Sequence, residues 1–326
     1  METKNEIKIV NVKKEAIEAE KRIRQHIRET PVEYSSYLSQ EGGCRVFLKL
    51  ENHQLTGCFK LRGAINKFLS LSKEQRERGI VTASSGNHGV AVAYLLNKFD
   101  SKGTIYLPEY ASRTKVEALC LYGADLKFYG DDCIKTEVMA RKTAEKEGLE
   151  YISPYNDPKI MGGQATAGIE LERQLKKIDA VLVPVGGGSL VAGIAGYLKS
   201  VNEDIEIIGC QPENSAVMYE SVKADKIIEM ESKPTISDGT AGGIEPDAVT
   251  LDVCKKFVDD FILVTEDEIK GAIKLCLERH YMLVEGAGAL SVASFNKEKK
   301  RFRNKNIVLL ISGAKISLEV LKDILC

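Results

Sequence analysis

The sequence predicts an α/β protein with a mainly parallel sheet. Short apolar runs alternate with longer amphipathic ones along its 326 residues. Glycines and small polar residues cluster where several of the apolar runs end. With 44% hydrophobic and 29% charged residues, the balance is globular, and the length allows two domains or lobes.

Taken in order, Lys13–Glu29 reads as a helix, because Ala16, Ala19, Ile23 and Ile27 share one face, and Pro31 ends it. Val46-Phe47-Leu48-Lys49-Leu50 reads as a strand, and Gly57 to Ser70 as a turn entering a helix. Further strands are expected at Thr104–Leu107, Asp125–Tyr129, Ala180–Val185, Ile205–Cys210 and Ile307–Ile311. Helices fit at Lys115–Leu121, Glu137–Glu147 and Leu190–Val201. No internal repeat, low-complexity segment or long linker interrupts this order.

Composition narrows the function classes. A formal net charge of -1 leaves no electrostatic footprint for nucleic acid or an anionic membrane. The one basic cluster, Lys297 to Lys305, reads as a solvated loop before a buried strand. No apolar run is long enough to cross a bilayer, and METKNEIKIV has no signal-peptide core, so a cytoplasmic location is expected. Eight scattered cysteines without a C-x-x-C pair suit reduced thiols. The four histidines are equally dispersed, and no zinc or other metal site is expected.

Three loops carry chemistry. In Thr56-Gly57-Cys58-Phe59-Lys60-Leu61-Arg62-Gly63-Ala64, a lysine stands just inside a helix start. The positive end of the helix disfavours an ammonium there, and burial frees the amine for Schiff-base chemistry. Alone, such a lysine is more often a surface residue. In Ala83-Ser84-Ser85-Gly86-Asn87-His88-Gly89, small polar residues follow the apolar pair Ile80-Val81 and precede the apolar helix Val90–Leu96. Backbone N–H groups there can hold a carboxylate or phosphate; a plain strand-to-helix turn is the competing reading. In Val185-Gly186-Gly187-Gly188-Ser189-Leu190, three glycines let amides converge on a phosphate at the C-terminal end of a strand, where open α/β sheets bind ligands. Tight packing is the alternative there. Gly286-Ala287-Gly288 lacks the third glycine and the acidic partner of a dinucleotide fingerprint and is not read as one.

In this order, the three loops resemble the fold-type II pyridoxal-phosphate family, in particular its threonine/serine dehydratases (ammonia-lyases) and serine racemases. Thr30-Pro31, Gly163-Gln164-Ala165-Thr166, Ser237-Asp238-Gly239, Val258-Asp259-Asp260 and Ile311-Ser312-Gly313 extend the resemblance from about Ala16 to Ser317. It implies a tryptophan synthase β-like architecture of two open-sheet α/β lobes with the cofactor between them: a large domain of residues 1–70 and 155–326, and a small mobile domain of residues 71–154. It implies that Lys60 holds pyridoxal 5'-phosphate and moves the substrate Cα proton, and that Phe59 packs on the cofactor ring. Asn87 would bond the ring hydroxyl, Gly186, Gly187, Gly188 and Ser189 the phosphate, and Ser312 the ring nitrogen. Ser84, Ser85, Asn87 and His88 would bind the substrate carboxylate. A hydroxyl at the ring nitrogen does not force its protonation, which suits β-elimination over long-lived carbanions. A homodimer acting on a small amino acid is implied as well.

Four departures from the family pattern stand out. The loop after the last strand is Ser312-Gly313-Ala314-Lys315 instead of S-G-G-N. Cys58 replaces a serine expected near the phosphate, which predicts weaker cofactor binding. Gln211 and Val217 stand where several relatives carry acidic metal ligands. The sequence ends soon after these motifs, so no ACT-type regulatory segment and no isoleucine feedback are expected. The leading expectation is dehydration and deamination of a β-hydroxy amino acid, L-threonine or L-serine, to a 2-oxo acid and ammonia. 3-Hydroxyaspartate or another, bulkier β-hydroxy amino acid is a further candidate substrate. Ser85 keeps amino-acid racemisation as the alternative activity, and a non-catalytic binding protein on the same scaffold is the third reading.

Overall fold

The structure is a computed structural model and describes residues 10–131 and 133–326. Ten strands form two sheets among the described residues: β1 (Val32–Tyr34), β2 (Arg45–Leu50), β3 (Ile80–Ala83), β4 (Gly103–Leu107), β5 (Asp125–Phe128), β6 (Glu150–Tyr151), β7 (Ala180–Pro184), β8 (Glu206–Pro212), β9 (Asp260–Val264) and β10 (Asn306–Ile311). The six-stranded sheet has the order β1-β2-β10-β7-β8-β9, and the four-stranded sheet β5-β4-β3-β6. Only β1 runs antiparallel to its neighbour; every other pairing is parallel. The chain thus begins the large sheet, leaves it to build the small one, and returns.

The large sheet is covered on both faces, which is why its central strands read as unbroken apolar runs. Along β10, Ile307, Leu309 and Ile311 enter one core while Val308 and Leu310 enter the other. β1 and β6 are three and two residues long, too short for any alternation to reveal them. β9 was also absent from the expected strands.

The first helix is shorter than its periodicity predicts. It spans Val12–Ile23 and ends in a 3-10 turn, Arg24–His26. Beyond it the chain is held extended by tertiary partners: Arg28 N–H and C=O both bond the Gln54 side chain, and Thr30 N–H donates to Glu170. The basic cluster is a correction too. Lys297 lies in the last turn of the helix Gly286–Glu298, and Lys299–Phe302 is a 3-10 turn; Lys297, Lys299, Arg301 and Lys305 all pair with carboxylates.

The helix Pro158–Gln174 has no counterpart among the expected elements, yet it runs through the middle of the fold. Asp157 caps it, accepting from Lys159 N–H and Ile160 N–H, and Pro158 supplies its first turn. A Cβ at Gly163 would stand 2.5 Å from the Arg62 carbonyl oxygen, so glycine lets this helix touch Lys60–Ser70 backbone to backbone. Glu170, on the same helix, lies at the centre of a buried ion network. It receives Arg62 and Lys49, and Arg62 also grips Glu51. These four side chains are fully buried. Arg62 is thereby locked two residues beyond Lys60.

Candidate active site

The three loops picked out by sequence converge at the C-terminal ends of parallel strands, joined by the segment after β10. Lys60 is the first residue of its helix and is half-buried. Its Nζ donates to the Pro154 carbonyl at 2.8 Å, and it lies 5.2 Å from the Phe59 ring centroid. Burial lowers its pKa to about 8, against the opposing fields of Cys58, Glu137 and Glu285. A lysine so placed is about one-tenth neutral at pH 7, far more than an ordinary lysine.

The glycine loop lies between β7 and the helix Ser189–Leu198. Among the described residues, no protein acceptor takes the N–H groups of Gly186, Gly187, Gly188 or Ser189. Gly188 has φ +87, which favours glycine. A Cβ at Gly187 would stand 2.3 Å from the Tyr155 ring, so Tyr155 forms one wall of the cradle. Thr250 Oγ1 donates to the Gly187 carbonyl and braces the loop from behind. Four unpaired donors at a helix start are an anion site by their chemistry.

Asn87 opens the helix Asn87–Lys98 after the loop that follows β3. Its Nδ2 donates to both carboxylate oxygens of Glu285, at 2.8 and 3.0 Å. Its Oδ1 is buried without a partner. Ser84 Oγ accepts from Gly86 N–H, while Ser85 is half-buried and its hydroxyl makes no hydrogen bond among the described residues. His88 departs from expectation. Its imidazole is turned into the small sheet, with Nε2 3.1 Å from Thr82 Oγ1 and 3.0 Å from the Ile152 carbonyl oxygen. Burial, with Lys60 nearby, pushes its pKa down to about 3, so it is neutral. Only its backbone N–H remains for a ligand at the helix start.

Ser312 follows β10 and is buried; its carbonyl accepts from Phe59 N–H. The next residues run beside the lysine loop: Gly313 bridges Cys58, and Ala314 N–H donates to the Gly57 carbonyl. Cys58 is thereby paired with this segment. The thiol is fully buried among Lys315, Glu285 and Lys60, and burial pushes its pKa up to about 12. None of the contacts found for it joins the glycine loop.

Two acidic residues were missed. Glu285 is buried, and burial raises its pKa to about 7, opposed by the Asn87 hydrogen bond. It precedes the Gly286-Ala287-Gly288 stretch, whose glycines serve close packing: a Cβ at Gly286 would meet the Ile236 carbonyl oxygen at 2.1 Å. Glu137, within the field of Lys60, is also raised to about 7, by burial and then by Glu245. A lone glutamate before a glycine or within an amphipathic helix carries no sequence signal of either role. Gln211, where no metal ligand was expected, is committed to structure: Oε1 accepts from Tyr219 N–H and Nε2 donates to the Ser215 carbonyl. Val217 is buried in the core.

The donor set fits pyridoxal phosphate. The free N–H groups suit its phosphate, the low-pKa amine its aldehyde, and the orphaned Asn87 Oδ1 a ring hydroxyl.

Comparison with known proteins agrees. Residues 23–313 match the family model described as "Pyridoxal-phosphate dependent enzyme". A Staphylococcus aureus protein named "L-threonine dehydratase catabolic TdcB" is 42% identical over 305 residues, covering 92% of this chain and 88% of its own. The processed form of threonine deaminase isoform 2 from Solanum lycopersicum superposes with a TM-score of 0.92 at 32% identity, over 96% of this chain and 87% of that one. Maize serine racemase superposes with a TM-score of 0.90 at 32% identity, over 95% of both.

Proposed function

The chain belongs to the pyridoxal-phosphate dependent enzyme family, and from that premise we propose that it dehydrates and deaminates a β-hydroxy amino acid, L-threonine first and L-serine second, to a 2-oxo acid and ammonia. The observation that carries the reading is the Lys60 amine, freed by burial and held by the Pro154 carbonyl at the mouth of three ligand-binding loops. Identity to a threonine dehydratase over most of both chains supports the substrate class.

In this reading Lys60 attaches the cofactor, Phe59 packs on its ring, and Gly186, Gly187, Gly188 and Ser189 hold its phosphate. Asn87 faces the ring hydroxyl and Ser312 the ring nitrogen. When bound, the cofactor withdraws electrons from the substrate Cα and makes its proton removable. Lys60 Nζ takes that proton, and its lowered pKa keeps it able to do so near neutral pH. Ser84, Ser85 and the backbone N–H groups opening the helix Asn87–Lys98 receive the substrate carboxylate. Residues 71–154 act as the small mobile domain against 1–70 and 155–326. The ion pairs Arg141–Glu245 and Lys115–Asp238 tie it to the loop beside the glycine cradle.

A homodimer in the cytoplasm is part of the same proposal. Support comes from the exposed side chains of Tyr34, Tyr37, Tyr281 and Leu283, whose neighbours Ser35 and His280 are hydrogen-bonded, and from free thiols at the seven described cysteines.

The test is product analysis with L-threonine and L-serine, following 2-oxo acid and D-amino acid together. Wild type is expected to release oxo acid, and Lys60→Ala to release none and to lose its cofactor absorbance. Absence of oxo acid from either substrate would refute the lyase reading. Racemisation is the second reading, favoured by the unbonded Ser85 hydroxyl: Ser85→Ala should then abolish D-isomer formation and spare elimination.

A further inference from the structure

Glu285 is not one of the residues that sequence pointed to, but among the described residues it is the only hydrogen-bond partner of the Asn87 side chain. Asn87 Nδ2 donates to both of its oxygens, and Lys315 N–H donates to Oε2 at 3.0 Å. The carboxylate also lies against the chain at position 313, where a Cβ would stand 2.3 Å from Oε1. An ionised carboxylate can only accept, so it fixes the amide with Nδ2 toward Glu285 and Oδ1, buried and unpartnered, turned elsewhere.

The geometry points to Glu285 as a positioning residue that decides, through its own proton, which end of the Asn87 amide meets the cofactor ring oxygen. With Glu285 ionised, Asn87 presents Oδ1, an acceptor, and the ring oxygen must carry a proton to bond it. With Glu285 protonated, its O–H donates to Oδ1, the amide turns over, and Nδ2 presents a donor to the ring oxygen, whose proton passes to the nitrogen that would join Lys60 to the cofactor; the change as a whole takes up one proton, the one on Glu285. This rests on the cofactor placement given above. Lys315 is the chain's own addition to the device. It stands where the family pattern has asparagine, its Cε lies over Gly57, and its charge favours the ionised form of Glu285.

Charged groups face Glu285 from three segments of the chain. Asp238 opposes its ionisation from the loop Ser237–Gly242, and Lys315 favours it from the segment after β10. Lys60 and Cys58 face it from the lysine loop. The helix Asn87–Lys98 contributes the neutral Asn87. Burial dominates and brings the carboxylate to about 7, where a change of one pH unit moves its population substantially.

The experiment is a pH titration of the visible absorbance of the purified holoenzyme, which reports the protonation of the ring oxygen, on wild type, Glu285→Gln and Lys315→Met. Wild type is expected to interconvert between two bands with a midpoint near neutrality. In Glu285→Gln, Lys315 N–H claims the amide oxygen, so the amide nitrogen meets Asn87. That variant should be locked in the form wild type shows at the acid end. Lys315→Met should raise the midpoint by a few tenths to about one pH unit, the smaller end expected because Lys315 is exposed and its field is screened. Glu285→Gln titrating like wild type, or locked in the alkaline form, would overturn the proposal. Should that variant not fold, an unmoved Lys315→Met midpoint would overturn it. A wild type without any cofactor band would instead refute the cofactor reading beneath it.

Discussion

At the scale of single residues, burial decides which groups can do chemistry. Lys60 and His88 lie within each other's field but differ in use: burial lowers the pKa of both, leaving Lys60 a usable amine and His88 a neutral structural ring. His88 therefore couples to acid stability. Its folded pKa of about 3 lies below the unfolded value near 6.5, so the unfolded state binds more protons between these limits. Stability from this group is complete above pH 6.5 and is lost as pH falls toward 3, at a slope of at most about 1.4 kcal/mol per pH unit. His88→Gln should flatten the decline between pH 6 and 4, measured by urea unfolding at each pH. An unchanged slope would mean that other groups set it. Sequence made Lys60, Asn87 and the glycines legible because their neighbours form patterns. Glu285 and Glu137 had no pattern, since their role depends on burial and on partners far away in the chain.

At the scale of elements, the position of the helix that carries Lys60 depends on a network buried beneath it. Arg62 on the helix Lys60–Ser70 reaches Glu51 after β2 and Glu170 on the helix Pro158–Gln174. The guanidinium raises its own pKa by this pairing, while Arg62 and Lys49 hold Glu170 down at about 2 despite its burial. Removing one partner leaves an uncompensated buried charge, so Arg62→Ala should cost about 3–5 kcal/mol in denaturant unfolding. A loss below about 1 kcal/mol would show the site relaxing around water. The helix Pro158–Gln174 was not legible as a helix because Gly162, Gly163 and Gly168 lower its intrinsic propensity. Tertiary packing reverses that penalty, since only glycine permits the backbone approach. The first helix erred the other way: its apolar periodicity continues to Ile27, but side-chain partners of the backbone from Arg28 to Thr30 end it early.

At the scale of the whole molecule, the two sheets share a cleft that is bridged at its rim. Arg141, on the helix Cys133–Glu147 beside the small sheet, pairs with Glu245 and stacks on Tyr151 at 4.3 Å. Glu245 is also held by Asn156 Nδ2, and its N–H donates to Tyr155 Oη, the ring that walls the glycine loop. The bridge thus connects the small sheet to the glycine loop. A partly exposed pair contributes little to stability, about 0–1 kcal/mol. Arg141→Ala should therefore leave thermal unfolding nearly unchanged and raise KM for L-threonine about threefold to tenfold through a looser closed state. An unchanged KM would remove the bridge from the catalytic cycle.

By itself the sequence determined the fold class, the parallel core strands, the position of a lysine at a helix start and the glycine loop. Each of these is written in local signals: two-residue and 3.6-residue periodicity, a glycine turn before a helix, a triple glycine after a strand. The tertiary structure alone decided that His88 faces the small sheet, that Cys58 lies beside Glu285 and Lys315, that Asn87 is oriented by a carboxylate 198 residues away, and that a glycine-rich helix fills the centre. Those outcomes depend on desolvation and on contacts between distant segments, and no local pattern encodes the free energy of a group whose surroundings the chain assembles only on folding.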